Sequence, residues 1–310
     1  MPANELILHH YPASLFSEKI RALLGYLELS WRSAEISPIM PRPELMPLTG
    51  GYRRTPVLQI GADIYCDTEI IARRLAAVAG NDALYAPGFL AERTARWADG
   101  DLFRTTVAVN FRSEALEAQM GALNEGAAEA FFADRAQLIG DRPLTQSDPA
   151  NAIARLNEDL ATLERSLAGD FLFGATPSIA DFSVYHCLWF VAGNPANADL
   201  LAPWPAVRAF MGRMAAFGHG SAEAIALDAA LAIGTQAEPA AVEAGVDEAV
   251  PTSLGAGAAV KVIPTETPHL PVEGTLAAWG NSQITIARED PVAGRVNVHF
   301  PLHGYDVIAA

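Results

Sequence analysis

The chain opens on a short apolar run, Leu6-Ile7-Leu8, of the kind that makes a buried strand. A turn at residues 11–14 follows, and beyond it Ile20, Leu23, Leu24 and Leu27 recur at the i, i+3, i+4, i+7 spacing of an amphipathic helix. Residues 31–36 alternate weakly, which suits a second strand parallel to the first and completes a βαβ unit. The next stretch holds Pro38, Pro41, Pro43, Pro47, Gly50 and Gly51 and reads as irregular structure. Residues 55–60 and 64–66, joined around Gly61, predict a β-hairpin with Pro56 at its entrance. Asp67 and Thr68 then open a helix from Glu69 to about Ala79, stopped by Gly80.

From Gly88 to about Gly218 the strand signals vanish. Ile153, Leu156, Leu160, Leu163 and Leu167 mark one long amphipathic helix. Ser178 and Asp181 have the spacing of an N-capping box, and the helix they open is apolar all round and so expected to be buried. Residues 221–233 read as an Ala-rich helix, followed by an acidic Ala/Gly/Pro linker to about Gly257. Five short alternating runs come last, at 259–263, 272–279, 283–288, 296–300 and 305–308, with turn residues such as Gly280, Asn281 and Ser282 between them. They predict a small SH3-like β-barrel module.

Composition narrows the setting. Hydrophobic content of 51% and charged content of 18% over 310 residues fit a well-cored globular protein. A net charge of −15 argues against a nucleic-acid partner, because such a chain repels phosphate backbones. With no apolar run of 18 residues, no membrane span is expected. The N-terminus lacks the basic start and apolar core of a secretion signal. Cys66 and Cys187 match no metal or redox spacing, and a reducing cytoplasm suits them. The histidines His269, His299 and His303 are too scattered for a metal site, and none is expected. Lys19 and Lys261 are the only lysines, which with the high alanine content suggests a bacterial source.

The first turn carries the candidate chemistry. It delivers Ser14 to the start of a helix, where free N–H groups and the positive end of the dipole favour an anion such as a thiolate. A hydroxyl there can donate to a sulfur anion, whereas a plain N-cap role is the commoner use of a serine. Asp67-Thr68 sits at a second helix N-terminus, a ready site for a carboxylate.

The order of elements, together with TPVLQIGADIYCDTEIIARRL at residues 55–75, resembles the glutathione S-transferase family. That resemblance implies a thioredoxin-like α/β domain at 1–82 and an all-helical domain at 87–218. The helix and linker at 219–258 and the β module at 259–310 lie beyond the family's usual length. It implies glutathione as co-substrate. Ser14 falls where the family places its thiol-activating Ser or Cys, with Tyr11 as runner-up. His10 is not a residue type the family uses there. Ser17 completes a Ser-x-x-Ser in which no cysteine is available for a mixed disulfide. Thr55, ahead of Pro56, would pair with the cysteinyl backbone, and Asp67 with Thr68 would receive the γ-glutamyl carboxylate; the family usually has Glu-Ser there. Arg54, or Arg53, would meet the glycine carboxylate, although a solvated loop cation is the plainer role for either. Asp181 would be structural, its loss costing ~0.5–2 kcal/mol through the cap.

A second, electrophilic and apolar substrate would lie in the cleft between the halves, against Tyr11, Trp97 and Asp101, with Arg96 and Arg104 on the same helix. A homodimer is also implied. The expected activity is attack of glutathione thiolate on a small electrophile. A non-catalytic binding or interaction protein on the same fold is the other reading.

Overall fold

The first strand, β1 (Leu6–His10), leads through the turn into α1 (Leu15–Tyr26), and β2 (Ser30–Glu35) then lies parallel to β1. The computed structural model describes residues 5–120, 126–140, 148–242, 245–280 and 282–310, so Asn281 of the expected turn, residues 243–244 of the linker and the first four residues lie outside the described part. A short α2 (Met46–Thr49) interrupts the Pro-rich loop. The hairpin is present as β3 (Val57–Ile60) and β4 (Asp63–Cys66), and α3 (Thr68–Ala79) follows with Gly80 at its left-handed C-cap. In the helical half come α4 (Phe89–Trp97), α5 (Phe103–Asn110), α6 (Ser113–Met120), α7 (Ala127–Ile139), α8 (Pro149–Ser166), α9 (Ile179–Ala192), α10 (Ala198–Leu201) and α11 (Pro205–Ala216). A π-helical turn, Ala98–Leu102, joins α4 to α5.

After residue 218 the chain departs from the sequence reading. The Ala-rich segment is not helical from Ser221. It forms a strand, β5 (Ser221–Ala224), parallel to β2, and only then a helix, α12 (Leu227–Gln236). Gly218 and Gly220, at φ +63° and +68°, turn the chain back, and a Cβ at Gly220 would sit 2.5 Å from the Leu29 carbonyl oxygen. The four β5 residues are all exposed, so backbone pairing, not a buried face, overrides their helix propensity.

The five C-terminal strands are all present: β7 (Ala259–Pro264), β8 (Val272–Trp279), β9 (Gln283–Asp290), β10 (Gly294–Pro301) and β11 (Tyr305–Ala309). A two-residue β6 (Gly245–Val246) pairs with β8. They form a sheet module whose strands pair in the order β11-β7-β8-β9-β10, and β10 also pairs in parallel with β4, so one sheet runs β11-β7-β8-β9-β10-β4-β3-β1-β2-β5. Both edges of the thioredoxin-like sheet are thereby covered, which removes two rows of unpaired backbone groups.

Side chains alternate across this sheet with period two. Leu6, Leu8, Leu58, Ile60 and Tyr65 face α1, α3 and the helical half, in a core that includes Leu75, Leu156, Phe182 and Phe210. Val57, Ile64 and Cys66 face the other way, into a core shared with Val260, Ile286, Val298 and Phe300 of the module. The module is therefore one wall of the thioredoxin-like core rather than a separate body tethered to it.

The Ser178 capping box is present at the start of α9, and Asp181 is fully buried. Its carboxylate accepts from the Ser178 N–H and hydroxyl at 2.8 Å each, and from the Leu172 N–H at 2.8 Å. Three donors lose their partner in Asp181→Ala, so the cost rises above a cap alone to about 2–4 kcal/mol. Urea titration is expected to show a lower midpoint, with ligand affinity of the folded variant unchanged.

Candidate functional site

Strand register brings the sequence candidates to one end of the sheet. His9 lies opposite Val57 in the antiparallel β1–β3 pair, and Val57 lies opposite Cys66 in β3–β4. The chain leaving β1, the chain entering β3 and the chain leaving β4 thus all pass the same end. Those three segments carry Tyr11 and Ser14, Thr55 and Pro56, and Asp67 and Thr68.

Ser14 is the N-cap of α1, and its Oγ accepts from the Ser17 N–H at 3.2 Å. Ser14 is 4% exposed, while Pro12 and Ala13 just before it are exposed. The turn is held from behind by Arg21, which donates to the carbonyls of Tyr11 and Pro12 at 3.3 and 2.9 Å and pairs with Glu18 at 2.8 Å. Glu18 also meets His219 at 3.1 Å and the Tyr185 hydroxyl at 3.4 Å. His10 belongs to this support: its Nδ1 faces Arg21 Nη1 at 3.1 Å and its Nε2 faces Ser33 Oγ at 2.8 Å. Arginine can only donate, so Nδ1 accepts and the proton of the neutral ring sits on Nε2. Ser17 is buried within α1, and Tyr11 is half-buried against the module's core.

The Thr55–Pro56 bond is cis, and Thr55 lies beyond the last β1–β3 pair. Arg42, which the sequence did not single out, donates to Thr55 Oγ1 at 3.1 Å and to the carbonyls of Arg53, Ser37 and Pro38 at 2.8–3.0 Å, fastening the Pro-rich loop. Arg53 is taken by Asp134 of α7 at 2.7 Å. Arg54 pairs with Glu266, between β7 and β8, at 3.3 Å.

Asp67 is the N-cap of α3; its Oδ1 accepts from the Glu69 N–H at 2.9 Å, and its backbone stands at φ +96°. Burial pushes the Asp67 carboxyl up, against the pull of that N–H, Arg54 and Lys19. Thr68 Oγ1 accepts from Lys19 Nζ at 3.3 Å. Lys19 is 1% exposed and also meets Asp99 at 2.6 Å. The π-turn between α4 and α5 carries Asp99, which also contacts His186 Nε2 at 2.9 Å and the Ser183 hydroxyl at 3.3 Å. Burial alone would raise the Asp99 carboxyl, but the Lys19 charge and the His186 contact outweigh it and hold it down at about 2. Lys19 thus ties the α3 N-terminus to the π-turn, its charge answered by Asp99.

Of the expected second-substrate residues, Tyr11 packs against the module's core, Trp97 ends α4 and Asp101 lies in the π-turn that follows. Trp97 packs half-buried on the helical core. Asp101 is exposed and pairs with Arg104, which also reaches Glu266 at 3.5 Å; Arg96 pairs with Glu69 at 3.0 Å. Cys66 and Cys187 are free and buried, and burial holds both thiols well above their ordinary range. His299 contacts Asp63 at 2.9 Å and Thr285 at 3.0 Å, His269 meets the Gln137 carbonyl at 3.0 Å, and His303 is exposed.

Comparison with known proteins decides the family. The family model of the glutathione S-transferase N-terminal domain matches residues 8–82, and that of the C-terminal domain matches residues 113–213. The crystal structure of a GST-like protein from Pseudomonas syringae is 40% identical, spans 99% of this chain and 100% of its own, and superposes with a TM-score of 0.77. This chain belongs to the glutathione S-transferase family. Glutathione transferase F2 from Populus trichocarpa, 12% identical, spans 68% of this chain and 93% of its own at a TM-score of 0.50. No curated protein matches. The Pseudomonas protein therefore shares nearly the whole length of this transferase-family chain, C-terminal strands included.

Two histidines at the end of β1 give the fold a pH signature. Burial, and for His10 also the Arg21 charge, lower His9 and His10 to about 4. An unfolded chain protonates both near 6.5. Between those values the unfolded state binds protons that the fold refuses, so stability rises with pH across that window and is lost as pH falls through it. Imidazole proton resonances of both are expected to titrate near 4, and the melting temperature to fall as pH drops from 6.5 to 4. Titration near 6.5 would refute the assignment.

Proposed function

We propose that this chain binds glutathione across the end of the sheet and lowers the pKa of its thiol for attack on a small, largely apolar electrophile. The observation that carries this reading is the convergence of Ser14, Thr55 and Asp67-Thr68 at one sheet end, with two helix N-termini among them. On this reading, Thr55 pairs with the cysteinyl backbone, and the N–H groups at the start of α3 with the Thr68 hydroxyl receive the γ-glutamyl carboxylate, while Asp67 caps that helix. Arg54 exchanges Glu266 for the glycine carboxylate. Tyr11, Trp97 and Asp101 contribute to the electrophile pocket.

Chemically the step is simple. The thiol proton leaves to solvent, the sulfur lone pair forms the new C–S bond, and the leaving group departs with its bonding electrons. With a polarised double bond, the adjacent carbon takes up a proton instead. Ser14 stabilises the sulfur anion by donating its hydroxyl proton while its oxygen keeps the Ser17 N–H. Holding thiolate and electrophile together supplies the remaining advantage.

A non-catalytic binding role on the same fold draws support from two observations: Ser14 is 4% exposed, and Glu266 already occupies Arg54. One set of measurements separates the readings. Calorimetry is expected to show glutathione binding, and ultraviolet titration to place the bound thiol below the ordinary value of about 8.5. Ser14→Ala should return that thiol toward 8.5 and lower turnover of a model electrophile by roughly 10–100-fold, with affinity nearly unchanged. Absence of binding at millimolar glutathione would overturn the enzyme reading.

We also propose a homodimer in a reducing bacterial cytoplasm. Val78 at the end of α3 and Phe89 and Leu90 at the start of α4 are large apolar side chains 44%, 71% and 59% exposed, and a partner copy would cover them. Light scattering should return twice the chain mass of 32.9 kDa, and Phe89→Glu should halve it.

A further inference from the structure

The C-terminal strands end where the candidate site begins. In the parallel β10–β4 ladder His299 lies opposite Tyr65, so β10 leaves the sheet at the same end as Asp67. It turns at residues 302–304 and returns as β11, whose first residue, Tyr305, is 6% exposed. Tyr305 lies opposite Pro264 in the β7–β11 pair, so the segment after β7, with Glu266, leaves at that end as well.

Two side chains from these turns reach residues of the candidate site. The Tyr305 hydroxyl donates to Asp67 Oδ2 at 3.1 Å. Its oxygen lies 3.0 Å from the hydroxyl of Tyr52, which is 2% exposed, giving a directed chain from Tyr52 through Tyr305 to Asp67. The Tyr305 ring packs on Phe300 at 5.3 Å. Glu266 spans Arg54 and Arg104 at 3.3 and 3.5 Å.

Asp67 depends on such support. Its φ of +96° is a conformation that side-chain-bearing residues seldom adopt, and such strain persists only where the surroundings over-determine it. One carboxylate oxygen is held by the Glu69 N–H of its own helix. The other is held from outside that helix by Tyr305.

We propose that Tyr305 is a positioning residue of the glutathione site: its phenol fixes Asp67 so that the N–H groups and hydroxyl at the start of α3 stay aimed at the γ-glutamyl carboxylate. The C-terminal module is then part of the binding site, a role built on the glutathione reading above and going beyond it. Tyr305 touches no reacting atom, so it governs affinity and leaves the chemical step alone.

The test uses the full chain with Tyr305→Phe, which removes one oxygen and keeps the ring on Phe300. Calorimetry is expected to show glutathione affinity about tenfold weaker, as loss of one hydrogen bond to a charged group implies. The pKa of the bound thiol and turnover at saturating glutathione should stay within twofold. Adding Tyr305→Phe to Asp67→Gly, which removes the carboxylate and tolerates φ +96°, should weaken binding by less than twofold further, because the two residues act through one bond. In the ligand-free chain, amide hydrogen exchange at residues 67–70 should speed up by at least tenfold. An unchanged affinity with a lowered melting temperature would overturn the proposal, as would unchanged exchange at those amides. If the unmutated chain binds no glutathione, the functional reading fails, and the exchange result still decides whether Tyr305 holds Asp67.

Discussion

Asn297, Val298 and His299 of β10 lie opposite Asp63, Ile64 and Tyr65 of β4, and this parallel ladder holds the C-terminal strands to the sheet. Its polar groups are buried but partnered. Asp63 receives His299 at 2.9 Å and Asn297 at 3.4 Å, while the other nitrogen of His299 meets Thr285 at 3.0 Å. The His299 ring also stacks on Tyr65 at 4.4 Å. A slip of one residue would take Val298 out of the core and break each of these contacts, so the register is strongly specified. Once it is set, the turn after β10 and the turn after β7 have nowhere to go but the end of the sheet that carries Asp67. The placement of Tyr305 and Glu266 follows from a backbone ladder several residues away.

Beneath the first turn the molecule spends charge in its interior. Glu18 and Arg21, and Lys19 and Asp99, form buried or half-buried pairs whose desolvation opposes their attraction. Because desolvation offsets much of that attraction, the clearest contribution of these pairs is to geometry. Arg21 ties the carbonyls of Tyr11 and Pro12, which orients the entry to α1. Lys19 ties Thr68 to the π-turn of the helical half, which couples the start of α3 to the second domain. Both helix N-termini are therefore held from below by groups that cannot move without exposing an unpaired charge.

Local pattern made half of this visible in the sequence. The strand-turn-helix around Ser14, the Thr55-Pro56 hairpin, the Asp67-Thr68 cap and the Ser178–Asp181 box each sit within a few residues, and each has a side-chain signature. The β4–β10 and β2–β5 joints have none, since a backbone ladder accepts almost any residue; β5 in particular is four exposed residues of helix-favouring composition. The role of Lys19 has no local signature, because its partner Asp99 is 80 residues away. Arg42, Glu266 and Tyr305 were hidden for the same reason. The one available hint was Lys19 itself, a rare lysine one residue before the apolar face of α1 begins at Ile20.

The arrangement of walls limits how a ligand can enter. On one side the Pro-rich loop is pinned by Arg42 and by Asp134, and on another the turns of the module stand over Arg54 and Asp67. The helical half closes a third side through Phe16, whose ring meets Phe103 at 4.9 Å and His186 at 4.8 Å. Pro12 and Ala13 are left exposed directly ahead of the buried Ser14. A thiol seated at Ser14 would consequently be screened from water by protein on most sides and open toward that edge, where a low local dielectric strengthens the hydroxyl's hold on sulfur. On the proposed reading, an anionic electrophile must approach a chain of net charge −15, which disfavours it against an uncharged one. The preference for uncharged electrophiles would then arise from what surrounds the sulfur rather than from any single pocket residue.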